Sequence, residues 1–351
     1  MIIMVKKEKR FFDYSFLKNI INNEINKKLK QIYELNGLIN DFSNIPEQTK
    51  NTLIKNSIFQ SVTSSNKIEN IVSTTNKIEN IIFNNKKYTG ENELEIQGYN
   101  DVLNIILNNF DNIDITKSNI LNLHNQLYKY SNKTYLKGKF KEMNNYIFSI
   151  DQNNYKTVIF EPVDHSLVDD YITKICDEYN KRNDEKIIDP LILIPTFILD
   201  FLCIHPFSDG NGRISRLLTN CLLFQNDFMI NKYISFEKII EENLNQYYFT
   251  LRKSSTNWQY SQNDYLPFID YFLDCLIISY NKLIDVNKKD YLENQIIEIL
   301  TTSLIPLSTK EISERLVSIS RRTLERKLKV LLEQNKIKKV GQYKNAKYKL
   351  T

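Results

Sequence analysis

His205-Pro-Phe-Ser-Asp-Gly-Asn-Gly-Arg-Ile-Ser-Arg216 decides how this chain is read. It follows directly on Leu191–Ile204, an apolar run broken only by Pro195, Thr196 and Asp200. Behind it, Ile214, Leu217, Leu218, Cys221 and Leu222 are apolar at the i, i+3, i+4, i+7, i+8 spacing of one helix face. The stretch is therefore a short loop between a buried helix and the N-terminus of the next. Unpaired N–H groups and the helix dipole at such an end favour phosphate oxygens. Gly210 and Gly212 allow positive φ and close approach of a ligand to the backbone. Arg213 and Arg216, three residues apart, reach around the same first turn. Asp209 is a hard oxygen ligand for nucleotide-borne Mg²⁺, and His205 sits on the opposite lip as a general base. An anion cradle, two guanidinium groups, a metal carboxylate and a base within one loop describe phosphoryl or nucleotidyl transfer.

Composition agrees with a helical frame. The 351 residues contain 7 glycines and 7 prolines, where average usage gives about 25 glycines. That scarcity excludes β-propellers, jelly rolls and glycine-looped nucleotide-binding sheets, and favours a mainly helical chain. Cys176, Cys203, Cys221 and Cys275 form no CxxC pair and read as reduced core thiols. Met-Ile-Ile-Met-Val precedes Lys6-Lys7-Glu8-Lys9-Arg10, the reverse of a secretory signal. The 14-residue apolar run is too short to span a bilayer. The expectation is a soluble, cytoplasmic protein with no membrane partner.

Helical periodicity runs from residue 12 to about 128. The β-rich pieces Asn145–Ile150 and Thr157–Phe160 flank a polar Asp151-Gln152-Asn153-Asn154, a hairpin signal. Helices resume from Ser166 to the Tyr280 region, and the polar Asp285–Asp290 reads as a linker. Residues 291–351 then hold nine lysines and four arginines against six glutamates, a net +7 in a chain of net +5. There Ser308-Thr309-Lys310-Glu311 is a capping box, Ser320 starts another helix, and Ile337–Val340 and Ala346–Leu350 are joined through Gly341. Three helices and a two-stranded wing predict a winged helix-turn-helix. The resulting division is 1–110, an N-terminal helical region; 111–284, the catalytic domain; 285–291, a linker; and 292–351, the winged helix.

With these residues in place, the chain resembles the Fic family, whose signature HxFx[DE]GNGRxxR is matched by His205, Phe207, Asp209, Gly210, Asn211, Gly212, Arg213 and Arg216. The resemblance implies an all-α Fic fold that transfers AMP from Mg-ATP to a Ser, Thr or Tyr hydroxyl of a target protein, itself included. It implies that His205 deprotonates the acceptor and that Asp209 holds Mg²⁺. The Gly210–Gly212 backbone and Asn211 would cradle phosphates, Arg213 contact the β side and Arg216 clamp the γ-phosphate, while Phe207, counted with the ATP-site residues, would anchor the loop. Residues 145–160 would be the flap that aligns the target by strand addition. Asn243 with Tyr247-Tyr248 looks like the adenosine-side element of related proteins. His124 is expected as a core histidine and His165 in an exposed turn.

The family's inhibitory pattern [ST]xxxE[GN] is matched by Ser65, Glu69 and Asn70, and again by Thr75, Glu79 and Asn80. Ten residues on one continuous helix rotate by about 1000°, roughly 80° short of full turns, so both glutamates cannot face one arginine. Glu69 is the expected inhibitor, paired with Arg216 where the γ-phosphate would go. The basic tail, with Arg321, Arg322 and Arg326 on its third helix, suits DNA phosphates. It equally suits a small interaction module that takes a second copy of the chain as partner. Two other functions fit the same residues: a DNA-binding regulator whose Fic domain senses ATP, and a transferase of another nucleoside monophosphate.

Overall fold

The computed structural model describes residues 14–20, 22–40, 47–150, 155–301, 303, 305–316, 320–341 and 346–351. They fall into two units, Met1–Tyr280 and Asn281–Thr351. In chain order the first has a 3-10 turn at Tyr14–Asn19, α1 (Asn23–Asn40), α2 (Glu47–Ile68), α3 (Thr75–Asn84), α4 (Glu91–Asn109) and α5 (Lys117–Leu127). The antiparallel strands β1 (Ile147–Ile150) and β2 (Lys156–Phe160) come next, then α6 (Val168–Glu185), α7 (Pro190–Ile204) and α8 (Asn211–Gln225). Last come α9 (Phe236–Glu242), α10 (Leu244–Ser255) and α11 (Leu266–Thr301), whose residues after Tyr280 belong to the second unit.

The apolar run is α7, packed between α6 and α8, and every residue from Leu191 to Ile204 is buried. Asp189 caps it by accepting from the Leu191 N–H at 2.8 Å, and Pro190 occupies the first turn, where no N–H is needed. Asp200 is a carboxylate in the middle of this dry helix. Burying it is costly unless donors surround it, and three do: Tyr14 Oη (2.8 Å), Trp258 Nε1 (2.6 Å) and Tyr265 Oη (2.8 Å).

A second polar seam fixes α2. Ser57, Ser61 and Ser64 lie on one helical face. Ser57 donates to the Asn231 carbonyl, Ser61 to Glu237 (2.7 Å) and Ser64 to Glu241 (2.7 Å). Lys67 also donates to Glu241, at 2.6 Å. Burial opposes the Glu241 charge, but Lys67, Ser64 and Lys238 outweigh it and hold that carboxyl down at about 2.

The hairpin signal is the β1–β2 pair, with Phe148 opposite Val158 and an irregularity after Ile147. The turn at 151–154 lies outside the described residues. Among those described, each strand pairs only with the other, and Phe148 and Val158 are exposed.

Residues 285–291, expected as a linker, are helical. They lie inside α11, and the division between units falls at 280/281 instead. The segment is polar but carries neither glycine nor proline, so nothing in it stops a helix. The expected boundary at 110/111 does not separate units either. The rest of the second unit is β3 (Leu307–Ser308), α12 (Thr309–Arg315), α13 (Arg321–Glu333), β4 (Ile337–Val340) and β5 (Lys347–Leu350). Ser308 and Glu311 form the expected capping box, and Ser320 caps α13. The strands make a three-stranded sheet in the order β3-β5-β4, one strand more than the sequence suggested. Leu292, Ile296, Leu307, Ile312, Leu324, Leu328 and Leu331 are among its core residues.

Candidate active site

The loop between α7 and α8 is built from inside. His205 takes a left-handed backbone (φ 51°) that turns the chain out of α7, its N–H still bound to the Phe201 carbonyl at 3.0 Å. Phe207 is fully buried and stacks on His124, ring centres 3.7 Å apart at 8°. The Asn211 side chain accepts from the Phe207 N–H (2.9 Å) and donates to its carbonyl (2.7 Å). Phe207 and Asn211, both expected at the nucleotide, thus turn their side chains inward: one anchors the loop and the other laces it. His124 is the expected core histidine. Its Nδ1 accepts from the Gly138 N–H (3.2 Å), so Nε2 carries the hydrogen and donates to the Asp209 carbonyl (3.1 Å). Burial pushes it down to about 4, which keeps it neutral.

The two glycines have separate reasons. Gly210 has φ 85°, open to glycine, and a Cβ there would stand 3.0 Å from the Tyr128 ring. A Cβ at Gly212 would collide with the Glu69 carboxylate. The first turn of α8 therefore holds an anion already, one supplied by the chain itself.

Arg216 is buried and wrapped by the last turn of α2. Its Nε donates to Ser65 Oγ (2.8 Å), and its Nη2 donates to the Ser65 carbonyl (2.9 Å) and to Glu69 Oε1 (2.8 Å). Burial opposes the charge, but Glu69 more than restores it and raises the guanidinium further. Glu69 is positioned by the end of its helix. Asn70 is left-handed (φ 61°), its N–H bonds the Lys67 carbonyl, and the Ile71 N–H bonds the Asn66 carbonyl. That is a Schellman stop with asparagine in the glycine place. Glu79 is exposed on α3, away from this arginine's partners.

Arg213, expected at the β-phosphate, is instead internal. Its Nη1 lies 2.7 Å from Glu95 and its Nη2 donates to Tyr128 Oη at 2.7 Å. Lys133 reaches the other Glu95 oxygen at 2.8 Å and Asp209 at 3.7 Å. Asp209 is exposed, with Oδ1 accepting from the Gly210 N–H at 2.7 Å. Burial opposes its charged form, yet Arg213, Tyr128 and the Gly210 N–H prevail and lower its pKa. Its other oxygen, Oδ2, faces the Lys133 ammonium at 3.7 Å. No group of three or more His, Cys, Asp or Glu that could hold a metal occurs among the described residues. One carboxylate suits Mg²⁺ carried by phosphates and not a protein cage.

His205 faces a cavity of about 740 Å³, together with Glu69, Gly212 and Arg216. Its Nδ1 lies 3.3 Å from the Leu202 carbonyl. A carbonyl only accepts, so Nδ1 carries the proton and Nε2 keeps its lone pair. Burial first, and then the cation of Lys141, push the ring down to about 4. Lys141 escaped the sequence reading. Its buried ammonium donates to Asn145 Oδ1 (2.8 Å) and to the Ile204 carbonyl (3.3 Å) at the C-terminal end of α7, and burial lowers it to about 8.

Flap residues Tyr146, Phe148 and Phe160 and the α10 side chains Tyr247 and Tyr248 line the same cavity. Asn243 is not among the lining residues; its amide donates to the Ile239 carbonyl (3.1 Å) at the junction of α9 and α10. Asn245 and Arg252 line the cavity instead. His165 is exposed and bonds Asn144, away from the cavity lining. The four cysteines are buried and none is in a disulfide.

Residues 114–223 match the Fic/DOC family. A Fic family protein from Desulfovibrio desulfuricans G20 superposes with a TM-score of 0.62 at 18% identity, covering 94% of this chain and 97% of that one. A Fic domain containing signaling protein from Bacteroides thetaiotaomicron gives 0.58 at 20% identity over 72% and 94%. Fic-1 (aa134–508) from C. elegans gives 0.59 at 19% over 75% and 73%. These likenesses establish the fold. Among curated proteins, the ribonucleoside-diphosphate reductase small chain of Ostreid herpesvirus 1 is 38% identical over 85 residues, 22% of this chain and 14% of that protein. The chain thus spans about one seventh of that relative's length. No helix among the described residues is long and apolar enough to cross a membrane.

Proposed function

Taking residues 114–223 as a Fic/DOC domain, we propose that the chain is a protein adenylyltransferase that Glu69 holds in check. The Arg216–Glu69 pair on the first turn of α8 carries this reading, because it joins a nucleotide cradle to an internal anion that fills it. With Glu69 withdrawn, the helix N-terminus and Arg216 receive the ATP phosphates. His205 Nε2 then takes the proton of a Ser, Thr or Tyr hydroxyl on the target protein. That oxygen bonds the α-phosphorus as the bond to the β-phosphate breaks, leaving an AMP–protein ester and pyrophosphate. Mg²⁺ bound through Asp209 would neutralise charge on the leaving pyrophosphate. Arg213 acts one step back, holding Asp209 and Tyr128 in place. The strand edges of the flap, which pair with no further strand among the described residues, suit a target segment lying alongside.

With Glu69 in place, Arg216 is unavailable to the γ-phosphate. Transfer of label from α-labelled ATP to the chain itself tests the whole reading. The unchanged chain should be weakly labelled, Glu69→Gly strongly labelled, and Glu69→Gly/His205→Ala blank. Absence of labelling in Glu69→Gly, or labelling that survives loss of His205, overturns it. A parallel panel of GTP, UTP and CTP separates an adenylyl donor from another nucleoside monophosphate.

A further inference from the structure

The six glutamates of residues 291–351 are unequally placed against the thirteen cations there. Glu293 pairs with Lys327 (2.6 Å), Glu325 with Arg321 (2.9 Å), Glu333 with Lys329 (3.8 Å) and Glu314 with Lys310 (3.9 Å). Glu311 closes the capping box with Ser308. Five of the six carboxylates are thereby engaged, and two clusters stand out among the cations with no carboxylate in ion-pair contact among the described residues. One set is Arg322 and Arg326, exposed one turn apart on α13. The other is on the β4–β5 ribbon, which α13 packs against.

That ribbon carries the stronger sign. Lys338 stands directly opposite Lys349 in the antiparallel register, both exposed, and Lys347 lies two residues earlier on the same face. Ile337, opposite Leu350, is buried, so the alternation of strands turns these lysines to the outer face. Like charges directly opposite destabilise a sheet. A repulsion built into a small sheet is relieved when a polyanion lies across it.

We propose that residues 281–351 bind double-stranded DNA. Arg322 and Arg326 project from one exposed face of a 13-residue helix, the element that fits the major groove, where guanidinium forks meet guanine edges or phosphates. The ribbon lysines then lie along the phosphate backbone. Five such cations imply a salt slope of about −4 to −5, hence a loss of about 10²- to 10³-fold in affinity between 50 and 200 mM salt.

Fluorescence anisotropy of a labelled mixed-sequence duplex with the full chain tests this. Binding should show that slope. Arg322→Glu/Arg326→Glu should weaken it at least about tenfold, while Lys27→Glu on the first unit leaves it unchanged. Lys349→Glu gives the most telling result, because it turns a repulsive cross-strand pair into an attractive one. It should weaken DNA binding at least about tenfold without lowering the melting temperature. No binding at 50 mM salt, an equal loss with Lys27→Glu, or tighter binding to phosphatidylserine vesicles than to the duplex overturns the proposal. A Lys349→Glu chain that melts lower yet binds normally overturns it too.

Discussion

Asn-Lys-Ile-Glu-Asn occurs twice, at 66–70 and at 76–80, with opposite outcomes. In both copies the isoleucine, Ile68 or Ile78, is buried. In the first, the pentapeptide ends α2: Asn70 goes left-handed and Glu69, at the very end, lies on Arg216. In the second it belongs to the opening turns of α3, where Asn76, Asn80 and Asn84 bond one another along the surface and Glu79 is exposed. The same five residues serve different ends because their C-terminal neighbours differ. After Asn70 the chain leaves the helix through Ile71-Val72-Ser73-Thr74, whereas after Asn80 α3 continues through Ile81-Ile82-Phe83 to Asn84, with Ile81 buried. A glutamate becomes part of a site through the place where its helix stops, and not through its own motif.

The largest expected difference between the copies is in activity. Glu69→Gly should raise label transfer from ATP at least about tenfold, the equivalent of about 1.4 kcal/mol, and Glu79→Gly should leave it unchanged. Activation by the second substitution alone would break the comparison. Stability should separate them in the same direction. Glu69→Ala leaves the buried Arg216 without its carboxylate, a loss on the order of 1–3 kcal/mol in urea unfolding. Glu79→Ala should stay within about 0.5 kcal/mol, as surface changes do.

A third measurement isolates His205 once Glu69 is gone. Its lowered pKa keeps the ring neutral through the physiological range, so transfer by Glu69→Gly should be flat from neutral pH downward and decline only near about 4. Proton uptake at Nε2 removes the lone pair, so the loss comes on the acid side. Lys141→Met removes a cation that disfavours that proton and should move the acid limb to higher pH. An acid limb already near that of free histidine, unmoved by Lys141→Met, would contradict the assignment. The smallest effect concerns the helix stop. Asn70→Ala should cost about 1–2 kcal/mol for its left-handed backbone and partly release Glu69. Asn70→Gly should be silent, and Asn80→Ala should lie within about 0.5 kcal/mol.

The helical frame, the loop and the pairing of Glu69 with Arg216 were legible in the sequence. The rotation between copies assumed a continuous helix, whereas α2 and α3 are separate and Asn70 parts them. Side chains that build a loop and side chains that touch a ligand share one signature, which is why Phe207, Asn211 and Arg213 were all placed at the nucleotide. Glu95, Tyr128 and Lys141 could not be found by spacing. They arrive from 64 to 118 residues upstream of Arg213 and His205, and a single lysine in a chain with 47 Lys and Arg carries no mark. A polar stretch without breakers, 285–291, looked like a boundary because composition and helix propensity disagreed there.

The Asp200 knot gives the early part of the chain an unexpected duty. Tyr14 supplies one of the three donors to that carboxylate, and its own N–H binds Glu178 at 2.7 Å. Without Tyr14, the Asp200 carboxylate on α7 would lose a donor in a dry interior, four residues before the helix ends at Ile204. Residue 14 is thus a footing for the base at 205. A deletion near the start of the chain would register as slack at the opposite lip of the phosphate loop, with every residue of the signature intact.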